Sequence, residues 1–254
     1  MTVTVERRDT GQLAITLARP RQRNAITVAM YAALADAVEG AAKDASVRVI
    51  TIEGEGEDFT AGNDLYDFLK EMPQPGTADI PVWRFIRAMA KNQVPIIAAV
   101  HGNAVGIGTT MLFHCDLVIA EQGARFIMPF VDLGLVPEAA SSLILPRLAG
   151  RRKAARYILL GEPFSAEDAA EFGLVSHVAP KGELGATFDH VVASLLAKPA
   201  EALRQTQALL RREDTSEILD RMEHENGHFS ERLASDEVKQ AIAGFFAAKA
   251  SAAA

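Results

Sequence analysis

Apolar and polar positions alternate from the start of the chain. Val3 and Val5, then Leu13, Ile15 and Leu17, fall at period two on either side of Asp9-Thr10-Gly11, which predicts two strands joined by a turn. Pro20 ends this pair, and Thr27 stands where a cap belongs, ahead of an alanine- and leucine-rich helix from Val28 to Lys43. The β-branched run Val47 to Ile52 reads as a strand ending in Gly54 and Gly56. Phe59 to Leu65 reads as a turn leading into a helix. Three prolines and a glycine between Met72 and Pro81 predict a mobile excursion. Trp83 to Lys91 then has helical spacing, and Val94 to Val100 is a buried strand running into Gly102.

The second half repeats strand, glycine turn and helix. Leu117 to Ala120 and Leu174 to Val178 read as strands. From Gly182 onward the pattern is helical: Glu183 to Leu196, Glu201 to Arg212, Ser216 to Leu233 and Glu237 to Ala248. Strands alternating with helices predict an α/β core followed by a helical appendage, with the boundary at Lys198-Pro199. The two parts are therefore residues 1–198 and 199–254. The alanine-rich end, Ser251 to Ala254, is expected to be disordered.

Length agrees with this division, since 254 residues at roughly 150 per domain is one large domain with an appendage. The 33 acidic residues outnumber 26 basic ones, for a formal charge of −7, which disfavours a nucleic-acid partner because phosphate contacts need a basic face. A lone cysteine, Cys115, excludes an internal disulfide and fits a reducing compartment. Met1 to Glu6 lacks the pattern of a secretory signal. The longest apolar run, Val94 to Val100, contains Pro95 and is too short to span a bilayer. A cytoplasmic location without membrane or nucleic-acid partners is expected.

Several motifs tempt. His224-Glu225-Asn226-Gly227-His228 matches H-E-x-x-H, with both histidines on one helical face. Gly227 weakens the helix there and no clear third ligand follows, so a solvated helix face is the preferred reading and no metal is expected. Gly102, Gly106 and Gly108 lack dinucleotide-binding spacing. His101, His114, His177 and His190 read as structural, and Cys115 as inert packing. Arg151-Arg152-Lys153 reads as a solvated basic run.

Two turns carry more weight. Thr60 to Leu65 and Gly102 to Gly108 each follow a strand and open a helix. Backbone N–H groups at helix starts lack intrahelical partners, so such turns suit an anion or a developing oxyanion. Glu138 stands in small, apolar surroundings, after Leu135-Val136-Pro137 and before Ala139-Ala140. Desolvation there should raise its pKa toward the range of a general base at neutral pH. A glutamate favoured in a helical first turn is the alternative.

These residues resemble the crotonase superfamily, the enoyl-CoA hydratases and isomerases, over nearly the whole chain. The resemblance rests on Arg19-Pro20 with Asn24-Ala25-Ile26, Phe59 to Leu65, Pro95 to Gly102, Cys115 to Val118, and Ala166 with Gly173-Leu174-Val175. It implies an α/β spiral of β-β-α units, a C-terminal helical oligomerisation region, and a homotrimer or dimer of trimers. It implies an acyl-CoA thioester as substrate, so coenzyme A arrives with the substrate and no cofactor is needed. The thioester oxygen would sit between the N–H groups of Asn63 and Ile107. Ala25 and Ala61, Gly62, Asn63, Asp64 and Leu65 would border the coenzyme A moiety. Ile107 stands where relatives often carry glycine, which narrows the pocket.

The resemblance also implies a departure. Hydratases of this family use two glutamates, and Thr110 and Phe130 occupy the matching positions. Neither transfers a proton as a carboxylate does. Leu133 to Ser142 instead resembles the Δ3,Δ2-enoyl-CoA isomerases, in which a glutamate at the position of Glu138 is the single acid/base. The expected reaction is therefore conversion of a 3-enoyl-CoA into the 2-enoyl isomer through a dienolate, in β-oxidation of unsaturated acyl chains, with Phe130, Leu135 and Val136 as walls that exclude water. The alternatives are another crotonase reaction such as hydration, for which Asp132 is the only nearby acidic candidate, or an inactive acyl-CoA-binding protein.

Overall fold

The computed structural model describes residues 3–70, 80–211 and 215–252. In chain order the elements are β1 (Val3–Arg7), β2 (Gln12–Leu17), α1 (Val28–Ala42), β3 (Val49–Gly54), α2 (Leu65–Lys70), α3 (Pro81–Lys91), β4 (Ile96–Val100), β5 (Asn103–Val105) and α4 (Ile107–Thr110). There follow β6 (Leu117–Glu121), β7 (Arg125–Ile127), α5 (Ser141–Leu159), β8 (Phe164–Ser165), α6 (Ala166–Glu171), β9 (His177–Ala179), α7 (Leu184–Leu196), α8 (Ala200–Arg211), α9 (Thr215–Leu233) and α10 (Asp236–Ala252). The predicted hairpin forms, with Val3 opposite Leu17 and Val5 opposite Ile15. The hydroxyl of Thr27 accepts from the Met30 N–H and caps α1.

Six strands build the main sheet in the order β1-β2-β3-β4-β6-β9, and β5-β7-β8 build a second. Among the described residues, only β1 is antiparallel in the main sheet. Its interior strands are apolar on both faces because both faces are covered. In β4, Ile96, Ala98 and Val100 join the main core, while Ile97 and Ala99 pack with Phe188 and Val192 of α7. Each of β4 and β6 hands the chain to a short strand of the second sheet and then to a helix, which is the expected spiral of β-β-α units.

The C-terminal helices lean on this core. Met222, Phe229 and Leu233 of α9 and Val238 and Ile242 of α10 belong to the main apolar cluster, and Phe229 meets Trp83 of α3 edge to face at 5.5 Å. In α8, Arg211 pairs with Asp116 at 3.0 Å and donates to the carbonyls of Met89, Asn92 and His114.

One strand differs from its expected place. Leu174 and Val175 are not strand residues, because both their N–H groups donate to the Ala169 carbonyl and close α6; the Ser176 N–H is the first to donate to β6, at Val118, and the strand register begins at His177. Helix α10 continues through Ala252, so Ser251 and Ala252 are helical rather than disordered. The excursion expected from Met72 lies outside the described residues as far as position 79, as do Arg212 and positions 253–254.

Candidate active site

The two glycine turns lie against each other. Thr60 and Ala104 form a parallel bridge, the Thr60 N–H donating to Asn103 at 3.1 Å and the Val105 N–H to Thr60 at 3.0 Å. Gly62 makes this approach possible: it adopts φ +84°, and a Cβ there would lie 2.6 Å from the Val105 carbonyl oxygen. Asn63 bridges Ile26 through its neighbours, Gly62 accepting from the Ile26 N–H and Asp64 donating to the Ile26 carbonyl. That pattern leaves the Asn63 N–H free of partners among the described residues. Ile107 opens α4, so its N–H has no intrahelical acceptor either. Its side chain is sunk in the main core at 1% exposure. Two unpaired N–H groups on touching turns form a place where a developing oxyanion can be held.

The segment from Arg19 to Ile26 is the scaffold of the first turn. Asn24, fully buried with φ +54°, accepts from the Arg19 N–H and donates to the carbonyls of Glu55 and Asp58. Arg19 pairs with Asp64 at 2.9 Å and donates to the Ala25 carbonyl at 2.6 Å. Arg19 thus joins Ala25 to Asp64 in the run Ala61 to Leu65.

Glu138 is 1% exposed, and burial raises its pKa to about 8, with the nearby charge of Glu225 adding to the rise. The Thr110 hydroxyl, three residues beyond Ile107 on α4, faces Glu138 and opposes that shift. The approach of the Thr110 hydroxyl to Glu138 falls short of a full hydrogen bond, and among the described residues neither Thr110 Oγ1 nor Glu138 Oε1 has another partner. A buried carboxyl with one oxygen unengaged and a pKa near neutrality has the properties of a proton carrier. Phe130 and Leu135 are buried nearby in sequence, whereas Asp132 is exposed.

Three neighbours were not legible as site residues. Tyr31 of α1 is buried, donates its hydroxyl to Asn63 Oδ1, and senses the charge of Glu138, so it links the first turn to the carboxyl. His114 pairs through Nε2 with the Ala139 carbonyl at 2.9 Å; burial lowers its pKa to about 4, so the ring is neutral and donates. Glu225 is the third, and it corrects the reading of Glu138 as isolated. It also corrects the reading of the 224–228 motif as a solvated face. His224 and His228 are exposed and meet edge to face, but Glu225 between them turns inward at 5% exposure. Among the described residues no cluster of three metal-ligating side chains exists. Burial pushes the Cys115 thiol well up, and its Sγ faces the Met111 carbonyl.

Comparison with known proteins gives a consistent picture. The family profile described as enoyl-CoA hydratase/isomerase matches residues 7–251. The chain is 32% identical to a 1,2-epoxyphenylacetyl-CoA isomerase of Escherichia coli over 93% of this chain and 92% of that protein. It is 33% identical to enoyl-CoA delta isomerase 2 of Rattus norvegicus over 94% of this chain and 62% of the rat protein. A crystal structure of an enoyl-CoA hydratase/isomerase from Pseudoalteromonas atlantica superposes with a TM-score of 0.90 at 37% identity, covering 97% of each chain. Relatives at comparable identity include isomerases, a hydratase and dehalogenases.

Proposed function

The chain belongs to the enoyl-CoA hydratase/isomerase family of the crotonase superfamily, and on that premise we propose that it is a Δ3,Δ2-enoyl-CoA isomerase with Glu138 as its only acid/base. Glu138 removes a proton from C2 of a 3-enoyl-CoA. The electrons move into the dienolate, whose oxygen takes hydrogen bonds from the N–H groups of Asn63 and Ile107. The protonated Glu138 then delivers the proton to C4, leaving the conjugated 2-enoyl thioester. Each oxyanion donor contributes about 3 kcal/mol to such a step and a placed base about 10²–10⁴-fold. No cofactor takes part, since coenzyme A belongs to the substrate, and its binding is assigned to Ala25 and the run Ala61 to Leu65.

The observation that carries this reading is the buried, unengaged Oε1 of Glu138 facing Thr110. Hydration needs a second carboxylate to activate water, and Thr110 and Phe130 stand at the positions where the hydratases resembling this chain place theirs. Phe130 is 5% exposed and packed in the core, which keeps water from that side of the site. The test is a paired assay of the purified protein, 3-enoyl-CoA isomerisation beside 2-enoyl-CoA hydration. Isomerisation is expected to dominate.

A trimeric assembly is part of the same proposal. Leu209 and Leu210 of α8 are 69% and 74% exposed, and Leu159 and Leu160 are 62% and 63% exposed. Leucines so far out of water's preference support a covered face.

A further inference from the structure

Ala139 and Ala140 both adopt left-handed backbone, at φ 58° and 57°, immediately after the proposed base. Such conformations cost an L-residue about 1–3 kcal/mol each and persist where neighbours over-determine them. Here the neighbours can be named. The Ala139 carbonyl accepts from His114, and the Ser141 N–H and hydroxyl both donate to the Glu138 carbonyl, at 3.0 and 2.6 Å. The remaining restraint comes from α9: Glu225 Oε2 accepts from the Ala140 N–H at 2.6 Å, and Oε1 accepts from the Ser142 N–H at 3.0 Å and from the Ser142 hydroxyl.

We propose that Glu225 is a positioning residue for Glu138: it pins the segment 139–142, strained at Ala139 and Ala140, that follows the base and aims it. The inference rests on the assignment of Glu138 as acid/base. Burial raises the pKa of Glu225, and the three groups that donate into it among the described residues oppose that rise by favouring the ionised, acceptor-only carboxylate. The Arg221 guanidinium, one turn earlier on α9 and 3.2 Å from Ser142 Oγ, supports that charge. Among the described residues, the other groups near the pair are the Thr110 hydroxyl from α4, the Tyr31 hydroxyl from α1, and the neutral His114 from the turn at 111–114. The pKa of Glu138 therefore responds to Glu225 more than to any of these.

The glutamate of the 224–228 motif thus has a use that requires neither metal nor solvent. It also ties the reacting carboxyl to a helix more than eighty residues downstream.

The experiment measures exchange of the C2 hydrogens of phenylacetyl-CoA in D2O against pH, a probe with acidic C2 hydrogens and no double bond to move. Wild-type protein is expected to exchange with an acid limb set by Glu138. In Glu225→Gln the limb moves to lower pH by roughly one unit, and the plateau falls about 10-fold with KM little changed. Glu225→Asp keeps the charge but not the reach, so its plateau falls while the limb stays near wild type. An unmoved limb in a folded Glu225→Gln overturns the proposal. If that variant does not fold, Glu225→Asp carries the test: a lowered plateau with the limb near wild type supports the proposal, and a wild-type plateau overturns it. Absence of exchange in the wild type, or full exchange in Glu138→Gln, contradicts the base itself and not the Glu225 contact.

Discussion

The hydroxyl of Tyr31 donates to the side-chain carbonyl of Asn63, the residue whose backbone N–H is assigned to the oxyanion. This bond holds the Asn63 side chain against α1 and leaves its backbone N–H for the proposed oxyanion. Tyr31→Phe is expected to fold, to lose about 1 kcal/mol of stability, and to lower kcat about 10-fold with little change in KM. Steady-state kinetics on a 3-enoyl-CoA check this, and an unchanged kcat would show that the bond is only structural.

Gly62 permits the contact between the two turns. A Cβ at φ +84° and 2.6 Å from the Val105 oxygen must push the turns apart. Gly62→Ala is expected to cost about 1–3 kcal/mol of stability and to reduce kcat by 10²-fold or more as the donor is displaced. Thermal melting and kinetics on the same preparation measure both.

Burial of Glu138 makes a stability prediction with a definite sign. Its folded pKa of about 8 lies above the ordinary carboxyl value of 4.5, so the native state holds a proton that the unfolded chain releases. Below the ordinary value both states are protonated and the group has no effect. As pH rises from about 4.5 to 8 the wild type loses up to about 1.4 kcal/mol per pH unit relative to an uncharged side chain. Glu138→Gln should therefore melt well above wild type at pH 8 to 9 and close to it near pH 4. Equal melting temperatures across that window would contradict the buried carboxyl.

The exposed leucines of α8 bear on assembly. Light scattering is expected to give a mass three or six times that of one chain, and Leu209→Glu with Leu210→Glu should shift it toward the monomer. A monomeric wild type would remove oligomerisation from the proposal.

Most of the fold could be read from local pattern. The alternation in β1 and β2, the Thr27 cap, and the apolar run of β4 are local features with local causes. The paired turns and Glu138 could be found because glycine and an isolated carboxylate stand out in apolar surroundings. What escaped reading depended on contacts distant in sequence. Nothing around Tyr31 marks it as a neighbour of Asn63, 32 residues on. Glu225 resembled any charged helical residue, since only the packing of α9 against the 138–142 segment removes it from water. Leu174 and Val175 look like strand residues because burial selects the same side chains, and the carbonyl of Ala169 decides otherwise.

The most direct test follows the double bond in a 3-enoyl-CoA with wild-type protein and with Glu138→Gln, hydration of the 2-enoyl product being monitored in parallel. The account predicts rapid formation of the 2-enoyl thioester, little 3-hydroxyacyl product, and a loss of at least 10²-fold in the folded variant. Isomerisation retained without the Glu138 carboxylate, or a wild type that hydrates and does not isomerise, would contradict it.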